Sequence, residues 1–402
     1  MGDITARPER VDNYALNAVR AAAAFLVVAG HARGFLFVGR EDAPADILTQ
    51  GALALFGLGH GAVLVFFVLS GYFVGGSAQR GLARGAFSAK SYAISRLTRL
   101  WIVLIPAILL TAILDWFGRT YFGGAAFYDD SRNAATNSGW PIALGNIAFL
   151  QPMHVPSFGS NEALWSLTYE AAYYAILPLL LAGFWYARRL RVRILVTAAG
   201  IALIVFFGWN VLSLFPVWLL GAAVAFLDGS IRSRLAGVSP VLLTILRVLN
   251  LLALAGAMVA DKVAGGSPVN TPFTSYVVGI LAASLVALLL PDLWPRKAGG
   301  RHLLGLFSRL AGSSYSLYAI HYPLLTLIAV AVSPRGVTGS WQPSLGSWSG
   351  FVIIIVALTT AGWLFSLMTE GHTDVARRTV AALLSVSFRN RVFNRASADL
   401  DR

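Results

Sequence analysis

The sequence is poor in charge and contains no cysteine. Charged residues make up 12% of the 402 positions, whereas soluble domains carry about 25%. The absence of cysteine excludes disulfide bonds, thiolate nucleophiles and cysteine–metal sites. Lysine occurs only at positions 90, 262 and 297, so the net charge of +13 comes almost entirely from arginine. These absences exclude cysteine chemistry and argue against an ordinary soluble domain.

Apolar residues, by contrast, make up 57% of the chain. Apolar runs of about 20 residues recur from end to end, which is long enough for helices to cross a bilayer. In lipid, a helix satisfies the backbone hydrogen bonds of such a run. We therefore predict an all-α polytopic membrane protein with about ten transmembrane helices in a single domain, residues 1–384. The expected spans are residues 16–38, 52–75, 97–117, 164–186, 194–211, 213–228, 240–260, 274–291, 310–332 and 348–369.

Arginine is concentrated in the connections between the apolar runs. By the positive-inside rule, such connections face the cytoplasm. The basic connections at residues 80–96, 188–193, 232–234 and 296–301 alternate correctly with ten spans, so we expect both termini in the cytoplasm. The same pattern accounts for the positive charge, and no nucleic-acid partner is expected. The first span shows no cleavage site, and residues 385–402 are expected to form a polar, mobile cytoplasmic tail.

Arg20 and His31 lie eleven residues apart in the first apolar run. On a helix this spacing places both side chains on one face, about 17 Å apart along the axis. Ionisable groups inside a membrane usually serve a function, and a neutral imidazole can act as a general base. The alternatives are a structural histidine bonded to a backbone carbonyl and an arginine that reaches the cytoplasmic interface.

Glu170 lies about eight residues inside the outer end of its predicted span, or about 12 Å deep. Because His31 is also expected in the outer half of the bilayer, Glu170 is the predicted partner that orients its imidazole. The alternative is a buried glutamate bonded to a neighbouring Tyr or Trp. Trp165 and Tyr174 in the same segment, and the intramembrane His321, are further candidates for substrate binding. We expect no metal site, since the histidines are dispersed.

Arg96 and Arg99 share a face at the cytoplasmic start of the third predicted span. Guanidinium groups match phosphate oxygens, so the pair is a candidate clamp for a nucleotide-bearing donor. Simple anchoring at the positive-inside boundary is the alternative. The Ser70-Gly71 step in the second span has a different expected role, because small residues let membrane helices pack closely.

Together these segments resemble the acyltransferase-3 family of bacterial integral-membrane acyltransferases. The matching pieces, in family order, are the Arg20-to-His31 spacing, FFVLSGY at 66–72, the Arg96/Arg99 pair before a proline at 106, LWSLTYEAAYYAILP at 164–178 and SYSLYAIHYPL at 314–324. One departure is Asn17, where the family commonly has an aspartate, which leaves the local partner of Arg20 open. The resemblance implies ten core helices and the form that has no fused hydrolase-like domain.

The resemblance also implies a function. Family members pass an acyl group, usually acetyl, from cytoplasmic acyl-CoA to a sugar hydroxyl of an extracytoplasmic or lipid-linked glycan, and the arginines and histidine that matter there correspond to Arg20, His31, Arg96 and Arg99. We expect acyl-CoA as donor, no bound cofactor, a glycan acceptor and a multi-pass location in the bacterial cytoplasmic membrane. The alternatives are a transporter or flippase for a lipid-linked glycan and a structural or sensory subunit. The acyl group, the acceptor sugar and the oligomeric state stay open.

Overall fold

The computed structural model describes residues 14–122, 136–265, 272–291, 310–332 and 339–384. The predicted tail at 385–402 and the basic connection at 296–301 lie outside these ranges. All regular structure within them is helical. We label the ten principal helices α1 Tyr14–Leu36, α2 Ile47–Ala83, α3 Ala89–Tyr121, α4 Glu162–Tyr186, α5 Leu190–Leu212, α6 Phe215–Phe226, α7 Pro240–Val263, α8 Pro272–Leu288, α9 Ser314–Val332 and α10 Leu345–Met368. Shorter helices are Trp140–Ile147 and Asp228–Leu235.

In the described ranges, eight helices are long and apolar enough to cross a membrane. The helix α6 and the following Asp228–Leu235, which meet at a bend of 64°, would together form a ninth span, and α8 is a shorter apolar helix of 17 residues. Each predicted span overlaps one of α1 to α10, so the chain is an all-α, multi-pass membrane protein. Ten crossings and cytoplasmic termini stay predictions.

Several helix starts are determined by local side chains. Four helices follow a residue whose side chain accepts a hydrogen bond from the backbone N–H three residues further on. These capping residues are Asp46, Ser88, Ser239 and Ser344. Because the first N–H groups of a helix have no partner within it, each cap satisfies a donor that would otherwise be exposed.

The central helices are α1 and α9. The helix α1 packs against α2 and α9, and α9 also packs against α3 and α10. Among the candidate spans, α9 is the most buried and α5 the least. The buried residues at the centre of the bundle therefore come mainly from α1, α2, α4 and α9. Most of the candidate site residues lie on these helices.

Two prolines inside helices create acceptors for side chains of other segments. A proline has no N–H, so the carbonyl four residues before it loses its helical donor. Pro323 in α9 frees the carbonyl of Ala319, which accepts a hydrogen bond from Asn161 Nδ2 at 2.8 Å. Pro178 in α4 frees the carbonyl of Tyr174, which accepts one from the hydroxyl of Tyr92 at 3.1 Å. Both prolines thereby attach one segment of the chain to another.

A buried carboxylate holds the segment before α4 in place. Asp115 in α3 is fully buried and accepts hydrogen bonds from the backbone N–H of Ser160 at 2.8 Å and from its hydroxyl at 2.5 Å. Together with the Asn161–Ala319 bond, this contact fixes the start of α4 between α3 and α9.

The helices α2 and α6 cross in close contact. A Cβ added at Gly71 would overlap the carbonyl oxygen of Trp218, and one added at Gly221 would overlap the carbonyl oxygen of Val68. The α-helix of α2 changes at this point into a π-helical turn, Gly71–Gly75. The expectation that Ser70-Gly71 permits close packing is confirmed.

We expect Gly71→Ala to destabilise the protein by about 1–3 kcal/mol, because the added methyl must push the two backbones apart. Gly256→Ala in α7 is the matched control, since a Cβ there meets no atom within 4 Å. The measurement is the thermal unfolding midpoint in detergent. Equal midpoints for the two variants would contradict the close crossing.

Candidate functional site

His31 and His321 form a hydrogen-bonded pair in the centre of the bundle. Nδ1 of His31 lies 2.8 Å from Nε2 of His321, and the planes of the two rings differ by 15°, with centroids 5.1 Å apart. His321 is fully buried, and His31 is half-buried. The packing of α1 against α9 brings together two histidines that are 290 residues apart in the chain.

The surroundings of His321 define the proton positions of the neutral pair. Nδ1 of His321 lies 2.8 Å from the carbonyl oxygen of Tyr318 and 3.2 Å from that of Leu317, so this nitrogen carries the proton and donates it. Nε2 of a neutral His321 is then an acceptor, and it must accept from Nδ1 of His31. A neutral His31 therefore carries its lone pair on Nε2.

A tyrosine and a glutamate adjoin the pair. The ring of Tyr322 packs edge-on against His31, with centroids 5.1 Å apart, and lies 6.1 Å from the ring of His321. Its hydroxyl donates a hydrogen bond to Oε2 of Glu162 at 3.0 Å. Glu162 is exposed and begins α4. Tyr322 thus links the carboxylate of Glu162 to the histidine pair near the C-terminal end of α1.

A second polar cluster lies near the N-terminal end of α1. Arg20 interacts electrostatically with Arg99, Glu170 and Glu370. Glu370 accepts a hydrogen bond from the backbone N–H of Ser316 at 3.0 Å. With two arginines and two glutamates, this group is formally neutral, and we call it the Arg–Glu cluster.

The predicted pairing of Glu170 with His31 is replaced by a different arrangement. Glu170 accepts a hydrogen bond from Tyr174 at 2.7 Å and lies in the Arg–Glu cluster with Arg20. The reason is axial position: along α4, Glu162 and Glu170 are about 12 Å apart. Glu162 lies at the level of His31, so Glu170 is brought toward the level of Arg20. The hydrogen-bond partner of His31 in the structure is His321.

Arg96 lies beside Arg99 and has its own partners. Its guanidinium donates a hydrogen bond to the hydroxyl of Ser77 at 2.8 Å and lies 5.4 Å from the ring centroid of Tyr92. It also interacts electrostatically with Arg99 and with Arg377, which follows α10. Positive charge from α3 and from the segment after α10 is thus concentrated near the Arg–Glu cluster.

Tyr174 and Trp165 occupy different surroundings. The hydroxyl of Tyr174 lies 3.1 Å from that of Ser70, which accepts a hydrogen bond from Nε1 of Trp218 at 3.2 Å. Tyr174 therefore connects α2 and α6 to Glu170. Trp165 packs edge-on against Phe67 and Tyr169, with ring centroids at 6.3 and 5.0 Å. Its predicted contact with substrate stays a prediction.

Sequence reasoning missed Glu162, Tyr322 and Glu370 as site residues. The two glutamates fall just outside the predicted spans, one before residue 164 and the other after residue 369. Each was available as an acidic residue at the end of an apolar run. Tyr322 follows His321 directly, but its contact with α4 depends on the tertiary fold.

Metal ligands form no cluster in the described ranges, where no group of three or more His, Cys, Asp and Glu residues could hold a metal ion. In the histidine pair, ring nitrogens face each other, and Nδ1 of His321 faces backbone carbonyls. The histidine pair can transfer protons, and the Arg–Glu cluster can bind charged groups.

The fold and the site define a multi-pass membrane protein with a hydrogen-bonded histidine pair at one level of the bundle and the Arg–Glu cluster at another. The family model for the acyltransferase-3 domain matches residues 13–367. This match covers most of the chain, and the protein belongs to the acyltransferase-3 family. It is therefore a membrane acyltransferase. No curated protein and no solved structure matches the chain.

We expect both His31 and His321 to carry their proton on Nδ1 in the neutral state. The check is a two-bond ¹H–¹⁵N correlation spectrum of protein labelled at histidine, assigned with His31→Gln and His321→Gln. His154, whose Nε2 lies 3.2 Å from the carbonyl oxygen of Phe206, provides the reference for a ring that carries its proton on Nε2. A spectrum in which Nε2 of His31 carries the proton would contradict the hydrogen-bond pattern.

Proposed function

We propose that the protein is an O-acyltransferase of the bacterial cytoplasmic membrane. It moves an acyl group, most simply acetyl, from cytoplasmic acyl-CoA to a hydroxyl of an extracytoplasmic or lipid-linked glycan. The observation that carries the proposal is the pair of sites on α1: the His31–His321 pair near one end and the Arg–Glu cluster about 17 Å away along the axis. Membership in the family supports the same reaction class.

His31 is the proposed general base. Its Nε2 takes the proton of the acceptor hydroxyl while the acceptor oxygen bonds to the carbonyl carbon of the thioester. The carbon–sulfur bond of the resulting tetrahedral intermediate then breaks, and the CoA thiolate takes the proton from His31. The acyl group is now on the acceptor oxygen, and the hydroxyl proton is on the CoA sulfur.

His321 supports this step through the hydrogen bond it accepts. When His31 is protonated, its Nδ1–H still donates to Nε2 of His321, whose lone pair stabilises the imidazolium charge. His321 keeps its orientation because its other nitrogen donates to the carbonyl of Tyr318. We therefore assign His321 as the residue that positions His31, the role that the sequence suggested for Glu170.

The Arg–Glu cluster is the proposed donor site. Guanidinium groups of Arg20, Arg96 and Arg99 suit the phosphates of acyl-CoA, which carry charge that arginine binds well. Glu170 and Glu370 compensate the charge of the half-buried Arg20 and Arg99 before the donor arrives. The axial distance of about 17 Å to His31 is comparable with the length of an extended pantetheine arm.

Loss of the base gives the first test. In a sugar-free detergent such as dodecylphosphocholine, we expect His31→Ala to lower transfer of labelled acetyl from acetyl-CoA to an alkyl glycoside about 100-fold or more, the range of general-base catalysis. His154→Ala is the matched control. An unchanged rate for His31→Ala would contradict the acyltransferase mechanism. So would proteoliposomes in which the wild-type protein moves unmodified glycan across the bilayer without labelling it.

A comparison of two donors tests the arginines. We expect Arg99→Gln to raise the KM for acetyl-CoA about tenfold, because a charged hydrogen bond to phosphate is lost. The same variant should leave the KM for S-acetylpantetheine within about twofold of wild type, since that donor has no phosphate.

Arg234→Gln, an exposed arginine in the helix after α6, is the matched control for the donor comparison. Equal KM effects of Arg99→Gln on both donors would place the arginine outside phosphate recognition. If Arg99→Gln changed only the expression level, this would favour the alternative that Arg99 anchors the helix at the positive-inside boundary.

A further inference from the structure

A groove opens on the outside of the bundle where the end of α4 meets the start of α5. Its volume is about 370 Å³, and it is lined by Phe184 of α4 and by six residues of α5. Only Arg193 and Thr197 contribute polar groups to this lining. Because α5 is the least buried of the candidate spans, the groove faces the region that lipid occupies.

The lining of the groove is polar at one end and apolar along the rest. Arg193, Thr197 and Ile201 follow one another at intervals of four residues, so they lie on one face of α5. Eight residues of helix place Ile201 about 12 Å further along the axis than Arg193. One guanidinium group thus lies near the start of α5, and an apolar surface leads from it along the span.

Close packing of α4 and α5 determines the shape of the groove. A Cβ added at Gly183 in α4 would overlap Oγ1 of Thr197, and one added at Gly200 in α5 would lie 3.0 Å from the side chain of Leu180. The walls are therefore formed by two helices in contact, rather than by a loop.

Positive charge is concentrated at the polar end. The connection at residues 188–193 contains four arginines, all of them exposed. No acidic residue occurs in the sequence between Glu170 and Asp228. Within the described ranges, none of the four arginines forms an ion pair with a carboxylate. The guanidinium of Arg193 lies 3.5 Å from the carbonyl oxygen of Phe184, so it is held across the end of α4. An anionic group would complement this end of the groove.

Aromatic residues indicate the depth of the polar end. Trp185, which is 73% exposed, and Tyr186 form the end of α4 directly before the arginines. Trp and Tyr side chains are enriched at the headgroup level of a membrane. The arginines therefore lie at the level of lipid headgroups, and the apolar part of the groove lies at the level of acyl chains.

We propose that this groove binds one anionic phospholipid. The phosphate of the lipid accepts hydrogen bonds from Arg193, whose guanidinium matches phosphate oxygens. One acyl chain lies along Ala198 and Ile201. Basic pockets between membrane helices suit anionic headgroups, and a free phosphate would leave the apolar part of the groove unused. This inference does not depend on the acyltransferase function proposed above.

Anchoring by positive charge alone is the competing explanation for the arginines. Anchoring requires charge near the membrane but no groove of defined shape. A substitution that fills the groove and leaves every charge in place separates the two explanations.

Two neighbouring alanines of α5 provide this separation. Ala198 lines the groove, whereas Ala199 is exposed and does not. Ala198→Phe and Ala199→Phe add the same ring to the same helix, but only the first fills the groove. Each full-length variant is immobilised in dodecyl maltoside, and binding of tritiated phosphatidylglycerol is measured by scintillation proximity. Unlabelled phosphatidylglycerol, phosphatidylcholine with the same acyl chains and inorganic phosphate serve as competitors.

For wild type, we expect phosphatidylglycerol to compete about tenfold better than phosphatidylcholine, because its headgroup carries a net negative charge. Ala198→Phe should raise the Kd for phosphatidylglycerol about tenfold, because the acyl chain loses its apolar contact. Arg193→Gln should raise it by a similar factor, about tenfold, through loss of a charged hydrogen bond. Ala199→Phe, and Arg234→Gln in the helix after α6, should stay within about twofold of wild type.

Three outcomes would overturn the proposal. Equal competition by the two lipids would show that the headgroup charge is not recognised. Equal Kd values for Ala198→Phe and Ala199→Phe would leave anchoring by charge as the explanation of the arginines. Displacement of the labelled lipid by inorganic phosphate as effectively as by phosphatidylglycerol would show a site for phosphate alone.

Discussion

The hydrogen bond between His31 and His321 connects the two helices around which the described part of the bundle is arranged. Burying two imidazoles is unfavourable unless their nitrogens find partners. Here one nitrogen of His321 is satisfied by a backbone carbonyl of its own helix and the other by His31. Because the first bond fixes the proton of His321, the second fixes the proton of His31. The lone pair of His31 is thus placed on Nε2 by a backbone carbonyl of α9, which acts through a single side chain, His321.

Polar groups inside the bundle are arranged at two levels, and α4 connects them. Its first residue, Glu162, belongs to the histidine level, and Glu170 belongs to the Arg–Glu cluster. Hydrogen bonds of Ser70 and Tyr174 connect the Arg–Glu cluster to α2 and α6. In a low-dielectric interior such connected groups hold one another in orientation. The two levels can therefore bind two different substrates, the donor at the Arg–Glu cluster and the acceptor at the histidine pair.

Much of the fold could be predicted from the sequence, because apolar runs with arginine-rich boundaries directly indicate membrane helices. The partners inside the bundle could not be predicted in the same way. Counting from the end of a span placed Glu170 at the depth of His31, but the axial offset between α1 and α4 depends on the Asp115–Ser160 and Asn161–Ala319 contacts. Those contacts join segments far apart in the chain, and helical periodicity carries no information about them.

Pro323 has a consequence beyond the bend that prolines cause in helices. Pro323 has no N–H, so α9 itself cannot donate to the carbonyl of Ala319. Asn161, from a neighbouring segment, donates to this carbonyl instead. A residue with an N–H at this position would make the helix more self-sufficient and would compete with Asn161 for the same oxygen. A hydrogen bond gained within α9 would therefore weaken the bond that attaches α9 to the start of α4. A locally weaker helix gives this membrane protein a better-connected interior.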